Sequence, residues 1–226
     1  MKFFAVIVAG GSGTRMNAPL PKQFMLLVGK PVMMHTIATF ASSPQKPEIF
    51  VVLNEQYFFL WKRLCEEHKF STPYTLVAGG KTRFHSVKKA LDIIEDDAVI
   101  AVHDAVRPLI TTAIISKAYE TALETGNAVV AVPSKDSVRL LKTSGISENV
   151  NRSEVFLVQT PQTFQSAIIK KAYEQEYSEE FTDDASVVER SGIQINLLQG
   201  DPENLKITFP SDLKIAELIL TEKGRF

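Results

Sequence analysis

Short apolar runs recur along the chain, separated by longer stretches that carry apolar residues at three- and four-residue spacing. The runs show little alternation, as expected for strands covered on both faces; they are FFAVIVA, EIFVVLN, YTLVAG, AVIAVHD and NAVVAVP. The stretches with helical period are PVMMHTIATFASS, QYFFLWKRLCEEHKF, TRFHSVKKALDIIED and TTAIISKAYETALETG, the last ending on Gly126, a common helix stop. This alternation predicts an α/β fold, with a mostly parallel sheet and helices on both of its faces.

The alternation breaks after Pro133. The segment 134–164 contains two extended pieces around a polar turn, residues 143–149, and no helical stripe. We expect residues 134–158 to form a protruding two-stranded β-arm. Because an isolated hairpin is marginally stable in water, the arm should pack on another surface, and a second copy of the chain is the simplest candidate.

The α/β alternation then resumes and ends in a helix at SDLKIAELIL. Ser211 is the predicted N-cap of that helix, and Asp212 stands in its first turn. The chain of 226 residues has no internal repeat, low-complexity tract or linker. We therefore expect a single domain over residues 1–226, with the arm inserted into it.

Composition excludes several classes of function. At 45% hydrophobic and 23% charged residues the chain has the make-up of a soluble globular protein, and its formal net charge of -1 favours neither nucleic acid nor an anionic membrane as a partner. A single cysteine rules out an intrachain disulfide. No apolar stretch approaches the ~20 residues of a membrane span, and no long apolar region of a signal peptide is seen. A cytoplasmic location is expected.

The stretch AVIVAGGSGTRMNAPLPKQF follows the first predicted strand and is rich in glycine. A dinucleotide fingerprint needs a third glycine where this chain has Met16, and a P-loop needs a Gly-Lys pair where Gly13 is followed by Thr14. Neither pattern matches, which argues against a nicotinamide-dependent oxidoreductase and a P-loop ATPase.

The glycines and cations of this stretch are suited to binding an anion. Glycines at the carboxyl end of a strand let backbone amides approach a phosphate closely; they are Gly10, Gly11 and Gly13. Arg15 and Lys22 add positive charge, and Pro19 and Pro21 restrict the backbone that leads to Lys22. The alternative is a plain glycine turn with two solvated cations. Alone, the stretch indicates only a phosphorylated ligand.

Further motifs follow it in order, namely GGKTRFHSV, HDAVRP, KDSV, QTPQTF, TDDAS and NLKITFPSDL. Together with AGGSGTRM and PKQF they resemble the family containing 2-C-methyl-D-erythritol 4-phosphate cytidylyltransferase and ribitol-5-phosphate cytidylyltransferase, over nearly the whole chain. The resemblance implies a Rossmann-like nucleotidyltransferase fold and transfer of the cytidylyl group of CTP to a polyol phosphate. Methylerythritol phosphate, an isoprenoid precursor of the non-mevalonate pathway, is the first acceptor hypothesis. Ribitol 5-phosphate is the alternative, and a non-catalytic nucleotide-binding regulatory protein is a third.

The chemistry explains why such motifs lack a His–carboxylate pair. A phosphate monoester has its second pKa near ~6, so the nucleophile is already anionic at neutral pH and needs no general base. The difficulty is electrostatic, because two anions must approach each other. Cations, aligned amides and Mg²⁺ or another divalent cation are suited to this task.

The resemblance also implies roles for individual residues. Arg15 and Lys22 would be catalytic. The nucleotide-binding positions are Ala9, Gly10, Gly11, Gly13, Gly79, Gly80, Ser86 and Asp104. The acceptor-binding positions are Arg107, Ser137, Arg152, Thr160 and Lys206. Asp104 is also the candidate metal ligand, with the ion held mainly through CTP phosphates.

In this family the arm reaches a neighbouring subunit, so Ser137 and Arg152 would complete the partner's site in a homodimer. This chain departs from the family pattern at Lys81, often an acidic residue, and at Ser137, usually threonine. Other interpretations also exist: Asp104 could be a buried aspartate satisfied by Arg107, and Arg152 a surface charge. We interpret His103 as a packing residue, and TDDAS as a helix cap without chemistry.

Overall fold

The computed structural model describes residues 1–10, 20–94 and 97–224, and the fold is built around one large sheet. The strands are β1 (Lys2–Val8), β2 (Leu26–Leu27), β3 (Lys30–Pro31), β4 (Glu48–Leu53), β5 (Thr75–Ala78), β6 (Ala98–Asp104), β7 (Asn127–Pro133), β8 (Val138–Leu141), β9 (Ser147–Val150), β10 (Phe156–Gln165) and β11 (Leu197–Gln199). The main sheet has seven strands in the order β11-β7-β10-β6-β1-β4-β5. All five strands predicted from apolar runs are present.

The sheet is mostly parallel. β1 pairs in parallel with β4 and β6, β4 with β5, and β11 with β7. β10 lies between β6 and β7 and is antiparallel to both. Parallel pairing in the centre brings the carboxyl ends of β1 and β6 side by side, with Val8 opposite Asp104.

The helices are α1 (Val32–Ala41), α2 (Phe58–Glu67), α3 (Arg83–Leu91), α4 (Thr112–Thr125), α5 (Ser166–Ala172), α6 (Asp184–Arg190) and α7 (Pro210–Glu222). Successive residues of β1 point to opposite faces, so that Phe4 and Val6 join one apolar cluster whereas Ala5 and Ile7 join another. The first cluster is covered by α3, α5 and α6, and the second by α1, α2 and α4. The predicted α/β sheet with helices on both faces is confirmed. Gly126 ends α4 with φ +93°.

The arm differs from its prediction in detail. β8 and β9 pair as an antiparallel hairpin, and Gly145 N–H closes the turn on the carbonyl of Lys142. The predicted turn at 143–149 was too long, because residues from Ser147 onward continue the ladder with β8. The second extended piece of the segment is β10, which belongs mainly to the large sheet.

The start of α7 also differs. The prediction of Ser211 as N-cap was wrong, since Phe209 occupies that position and Pro210 begins the helix. Proline suits the first helical position because its fixed φ matches the helix and its missing N–H is not needed there. Asp212 lies in the first turn, as expected, and its carboxylate accepts from the N–H groups of Thr208 and Phe209 at 2.8 Å each. Among the described helices, none is both long and apolar enough to cross a membrane.

Candidate active site

A cleft of about 330 Å³ opens at the carboxyl ends of β1 and β6. This is the edge where ligands bind in open α/β sheets. Seven of the predicted site residues line it, namely Ala9, Gly10, Lys22, Gly80, Ser86, Asp104 and Lys206. A larger cavity of about 450 Å³ lies beside α1 and the start of α4, and none of the predicted site residues lines it. The cleft is therefore the candidate active site.

Asp104 is surrounded by cations. Its Oδ2 atom lies 3.0 Å from Lys206 Nζ and 3.4 Å from Arg107 Nε, and its Oδ1 atom lies 3.9 Å from Arg83 Nε. Burial opposes ionisation of this carboxyl, but the charges of Lys206, Arg83 and Arg107 outweigh it and hold the pKa of Asp104 below its ordinary value. Asp104 is therefore a fixed negative charge within a positively charged cleft wall.

Sequence reasoning missed Arg83, which also lines the cleft. Its guanidinium donates two hydrogen bonds to Asp184, from Nη1 to Oδ1 at 2.7 Å and from Nη2 to Oδ2 at 2.6 Å. Tyr173 donates its hydroxyl to the same carboxylate at 2.6 Å. The neighbouring Asp183 is the helix cap, accepting from Ser186 N–H at 2.8 Å. Within TDDAS, Asp183 therefore caps the helix and Asp184 binds Arg83. The sequence alone does not distinguish the two roles.

A second wall of the cleft comes from the loop between β5 and α3. Gly80 N–H donates to Ser86 Oγ at 3.0 Å, and the Ser86 hydroxyl donates to the carbonyl of Thr82 at 2.9 Å. A Cβ atom added at Gly80 would lie 2.4 Å from His85 Cβ, so only glycine fits there. Gly79 lines the adjoining pocket together with Gly80. This geometry leaves backbone close to the cleft, as a base or ribose contact would require.

Lys22 lies in a short 3-10 turn, Lys22–Phe24, and is largely buried against the cleft. The Gln23 side chain donates to the carbonyl of Ala9 at 2.9 Å, which ties this turn to the end of β1. Phe24 is buried in the core beside α1 and anchors the turn further. Three predicted site residues, Gly11, Gly13 and Arg15, lie outside the described residues.

The predicted acceptor-binding residues fall into two groups. Lys206 and Arg107 form ion pairs with Asp104. Arg107 Nη1 also donates to the carbonyl of Asn204 at 2.8 Å. Thr160 Oγ1 accepts a hydrogen bond from Asp104 N–H at 3.1 Å, and Thr160 is only 4% exposed. Ser137 and Arg152 are on the arm and do not line the cleft of their own chain. Arg152 instead donates to the carbonyl of Lys135 at 3.2 Å.

The donor set for a metal is sparse. Among residues 1–10, 20–94 and 97–224, no group of three or more His, Cys, Asp or Glu side chains could hold a metal ion. Asp104 supplies one carboxylate in the cleft, with Oδ2 engaged by cations at hydrogen-bonding distance and Oδ1 less closely held. Such a set fits a Mg²⁺ ion only if substrate phosphates supply most of its ligands.

Comparison with known proteins decides the family. The model of the family 2-C-methyl-D-erythritol 4-phosphate cytidylyltransferase matches residues 3–222. The chain belongs to this cytidylyltransferase family. Membership confirms the resemblance inferred from the motifs and the interpretation of the chain as a nucleotidyltransferase enzyme.

Relatives of the cytidylyltransferase family agree over nearly the full length. The chain is similar to 2-C-methyl-D-erythritol 4-phosphate cytidylyltransferase of Bacteroides thetaiotaomicron, at 46% identity over 220 residues, covering 97% of this chain and 100% of the relative. The protein of that name in Porphyromonas gingivalis is 44% identical over 221 residues, covering 97% and 98%. The solved 4-diphosphocytidyl-2C-methyl-D-erythritol synthase of Anaerococcus prevotii superposes with a TM-score of 0.83 at 26% identity, covering 97% of this chain and 96% of that one. These agreements confirm the fold class.

Proposed function

We propose that the cleft binds CTP together with 2-C-methyl-D-erythritol 4-phosphate and that the chain transfers the cytidylyl group from the first to the second. The assignment to the cleft rests on its lining: Lys22 and Lys206 lie there with Asp104, next to the backbone of Gly10 and Gly80. Family membership supplies the reaction, since the relatives are named for this acceptor. The same evidence favours it over ribitol 5-phosphate and over a non-catalytic regulatory protein.

The reaction is a substitution at phosphorus. An oxygen of the acceptor phosphate forms a bond to the α-phosphorus of CTP, and the bond from that phosphorus to the oxygen bridging the β-phosphorus breaks. The electron pair leaves with pyrophosphate. Because the acceptor phosphate is already anionic at neutral pH, the protein's task is to bring two anions together and to stabilise the charge that develops.

The described residues suit this task. Lys22 and Lys206 supply positive charge, and Gly10, Gly79 and Gly80 leave backbone within reach of the nucleotide. Asp104 holds Lys206 and Arg107 in place through its carboxylate. The proposal keeps Arg15, Gly11 and Gly13 in the triphosphate site, Ala9 and Ser86 in the nucleotide site, and Thr160 among the acceptor positions.

A divalent cation such as Mg²⁺ belongs to the proposal. Asp104 would hold the ion together with phosphate oxygens of the nucleotide, and the ion would neutralise part of the triphosphate charge. The chain's own cations do the remaining positioning.

The proposal extends to the assembly. Residues 1–226 would form one catalytic domain in the cytoplasm, and the arm at 134–158 would mediate a homodimer. The arm carries exposed apolar side chains, with Leu141 71% and Ile146 63% exposed. Such side chains are expected to be covered in use. Ser137 and Arg152 would then enter the partner's cleft, which explains why they do not line their own.

The decisive assay measures pyrophosphate release and the nucleotide product. The protein is incubated with CTP, Mg²⁺ and either 2-C-methyl-D-erythritol 4-phosphate or ribitol 5-phosphate. We expect turnover with the methylerythritol acceptor and little with ribitol 5-phosphate. The reverse preference would reassign the acceptor, and no turnover with either would overturn the proposed function.

Replacement of Lys22 tests the cleft itself. Lys22→Met keeps the aliphatic length and removes the charge, and kcat should fall by about 10²- to 10³-fold because a cation that stabilises developing charge is lost. Lys117→Met, which makes the same change at an exposed position on α4, is the matched control. Equal activity of the two variants would refute the role of Lys22.

A further inference from the structure

The loop that follows β11, residues 200–207, carries Lys206 to the cleft. Two backbone hydrogen bonds anchor the ends of this loop. Gly200 N–H donates to a carbonyl of β7 at 2.8 Å, and Ile207 N–H donates to the carbonyl of Val106 at 2.9 Å. The residues between these anchors need a further tether if Lys206 is to be held in one position.

Asn204 provides that tether from the middle of the loop, where it is fully buried. Its Nδ2 atom donates to the carbonyl of Thr160 at 2.9 Å and to Oε1 of Gln159 at 3.2 Å. Gln159 Nε2 in turn donates to the carbonyl of Asp201 at 2.9 Å. The side-chain amides of Asn204 and Gln159 therefore fasten the loop to β10 at two points.

An irregularity of β10 makes these contacts possible. The pairing of β10 with β7 shifts between Val158 and Gln162, so that residues 159–161 lie outside the regular ladder. The carbonyl of Thr160 is therefore available to the side chain of Asn204. The loop and the irregular part of β10 are built to fit each other.

The contacts of Asn204 require two donors on one atom. A carbonyl oxygen can only accept, so Gln159 presents its nitrogen to Asp201 and its oxygen to Asn204. Asn204 Nδ2 thus meets two acceptors and donates both of its protons. The Oδ1 atom of Asn204 is buried and has no hydrogen-bond partner among the described residues, so the two donated protons are what this side chain contributes. Neither a carboxylate nor an apolar side chain could replace them.

Asn204 links three of the predicted acceptor-binding residues. Its side chain holds the backbone of Thr160, its main-chain carbonyl accepts from Arg107 Nη1 at 2.8 Å, and Lys206 follows two positions later in the chain. We propose that Asn204 is a positioning residue for the acceptor, which fixes the loop that orients Arg107 and carries Lys206. Because it is buried, Asn204 acts through these residues and not by contact with a substrate. The inference rests on the proposed function for the identity of the acceptor.

The nucleotide side of the cleft does not depend on this tether. Asp104 is the last residue of β6, and Gly10 and Gly80 follow β1 and β5, so the sheet itself holds these three positions. Loss of the Asn204 side chain should therefore weaken binding of the acceptor and leave binding of CTP nearly unchanged.

Steady-state kinetics with both substrates test this division. Asn204→Leu keeps the approximate size of the side chain and removes its donors. It should raise the KM for 2-C-methyl-D-erythritol 4-phosphate by about tenfold, with kcat and the KM for CTP changed less than about threefold. Asn127→Leu is the matched control, because Asn127 is also buried and its Nδ2 tethers a loop through the carbonyl of Gln194 at 3.0 Å, but at the first residue of β7 and outside the cleft lining. Both variants should be less stable to urea, and only Asn204→Leu should change the acceptor KM.

A second variant approaches the tether from β10. Gln159→Leu removes the amide that meets Asn204 and should raise the acceptor KM in the same way, again with little change in the KM for CTP. Because the two amides act as one tether, the double variant should be no worse than about twofold beyond Asn204→Leu. Should Asn204→Leu not fold, the ratio of the two KM changes in Gln159→Leu still decides.

Hydrogen exchange of side-chain amides, resolved by ¹⁵N NMR of the wild-type chain, tests the tether without any turnover. The Nδ2 protons of Asn204 should exchange at least about a hundredfold more slowly than those of the exposed Asn149. Comparable exchange rates would overturn the inference, since the two hydrogen bonds would then not persist.

The kinetic results can contradict the inference in two further ways. If Asn204→Leu and Asn127→Leu change the acceptor KM equally, the role of Asn204 is only to stabilise the fold. If the KM for CTP rises as much as that for the acceptor, the loop does not serve the acceptor in particular. Absence of turnover in the wild type would instead sink the proposed function, and exchange of the Asn204 amide would still show whether the tether exists.

Discussion

At the scale of single residues, His103 makes stability depend on pH. The pKa of its ring is lowered to about 3 by burial, against about 6.5 in an unfolded chain. Above about pH 7.5 both states are neutral and the group contributes nothing. Below pH 6.5 the unfolded chain binds a proton that the native chain does not, so native stability falls as pH falls, by about 1.4 kcal/mol at pH 5.5.

Urea unfolding of the wild type and of His103→Phe at pH 7.5 and 5.5 checks this expectation. The wild type should lose about 1.4 kcal/mol more than the variant between the two pH values, since the other titrating groups cancel in the difference. Equal losses would show that the ring is not held neutral in the native chain.

The residues that sequence could locate are those whose chemistry is local. Asp104 ends an apolar run, and Gly80 and Lys22 stand in short motifs, so their place at the sheet edge followed from their neighbours along the chain. The partners of buried polar groups were out of reach. Arg83 meets a carboxylate 101 positions away, and His103 a hydroxyl 57 positions away. Such pairings are set by packing and leave no periodic signal.

At the scale of elements, the apolar patterns were sufficient for the core. Strands such as β6, which is buried along its whole length, were predictable from apolar runs because both faces of the sheet are covered. Helices such as α4 were predictable from the spacing of their apolar residues. The direction of β10 was not predictable, because an apolar run does not distinguish parallel from antiparallel pairing. The register of β10 against β7 also shifts between Val158 and Gln162, a local irregularity that the apolar pattern does not indicate.

The pair of Arg83 and Asp184 joins the beginnings of α3 and α6. Asp184→Asn should lower the free energy of unfolding by about 3 kcal/mol, because it removes the nearest counter-charge of the Arg83 guanidinium and leaves only the more distant Asp104 carboxylate, 3.9 Å away. Asp183→Asn is the matched control. Asparagine caps helices about as well as aspartate, and only the hydrogen bond from Gln162 is lost, so about 1 kcal/mol is expected.

Urea unfolding of both variants and the wild type measures the difference directly. A loss for Asp184→Asn no larger than that for Asp183→Asn would mean that the ion pair does not link the two helices energetically.

At the scale of the whole molecule, the cleft is lined by segments that lie far apart in the sequence, from Val8 to Lys206. The order of the motifs along the sequence was enough to recognise the family, although no single motif forms the whole site. The arm is the exception. Arg152 and Ser137 stand outside the cleft of their own chain, and Leu140 and Leu141 on the hairpin are exposed, which supports the proposal that a second copy of the chain covers the arm. The order of the motifs could not show whether these two residues act in a cleft, or in which chain's cleft.

Complementation between two inactive chains tests the shared site. Lys22→Met disables a cleft and Arg152→Ala disables an arm, so each homodimer should be inactive. If arms enter the partner's cleft, a heterodimer has one intact site, formed by the Arg152→Ala chain's cleft and the Lys22→Met chain's arm. Random exchange of subunits in an equal mixture, by co-expression or refolding together, should then recover about a quarter of wild-type activity, because half of the dimers are mixed and each has one working site of two.

Leu141→Glu supplies the link to assembly. A charge on the arm's apolar surface should shift sedimentation towards monomer and abolish the recovered activity, whereas Leu218→Glu, the same change at an exposed position on α7, should do neither. If arms serve their own cleft, the mixture stays inactive although dimers form. If the chain sediments as a monomer at assay concentration while remaining fully active, the arm completes no partner's site at all.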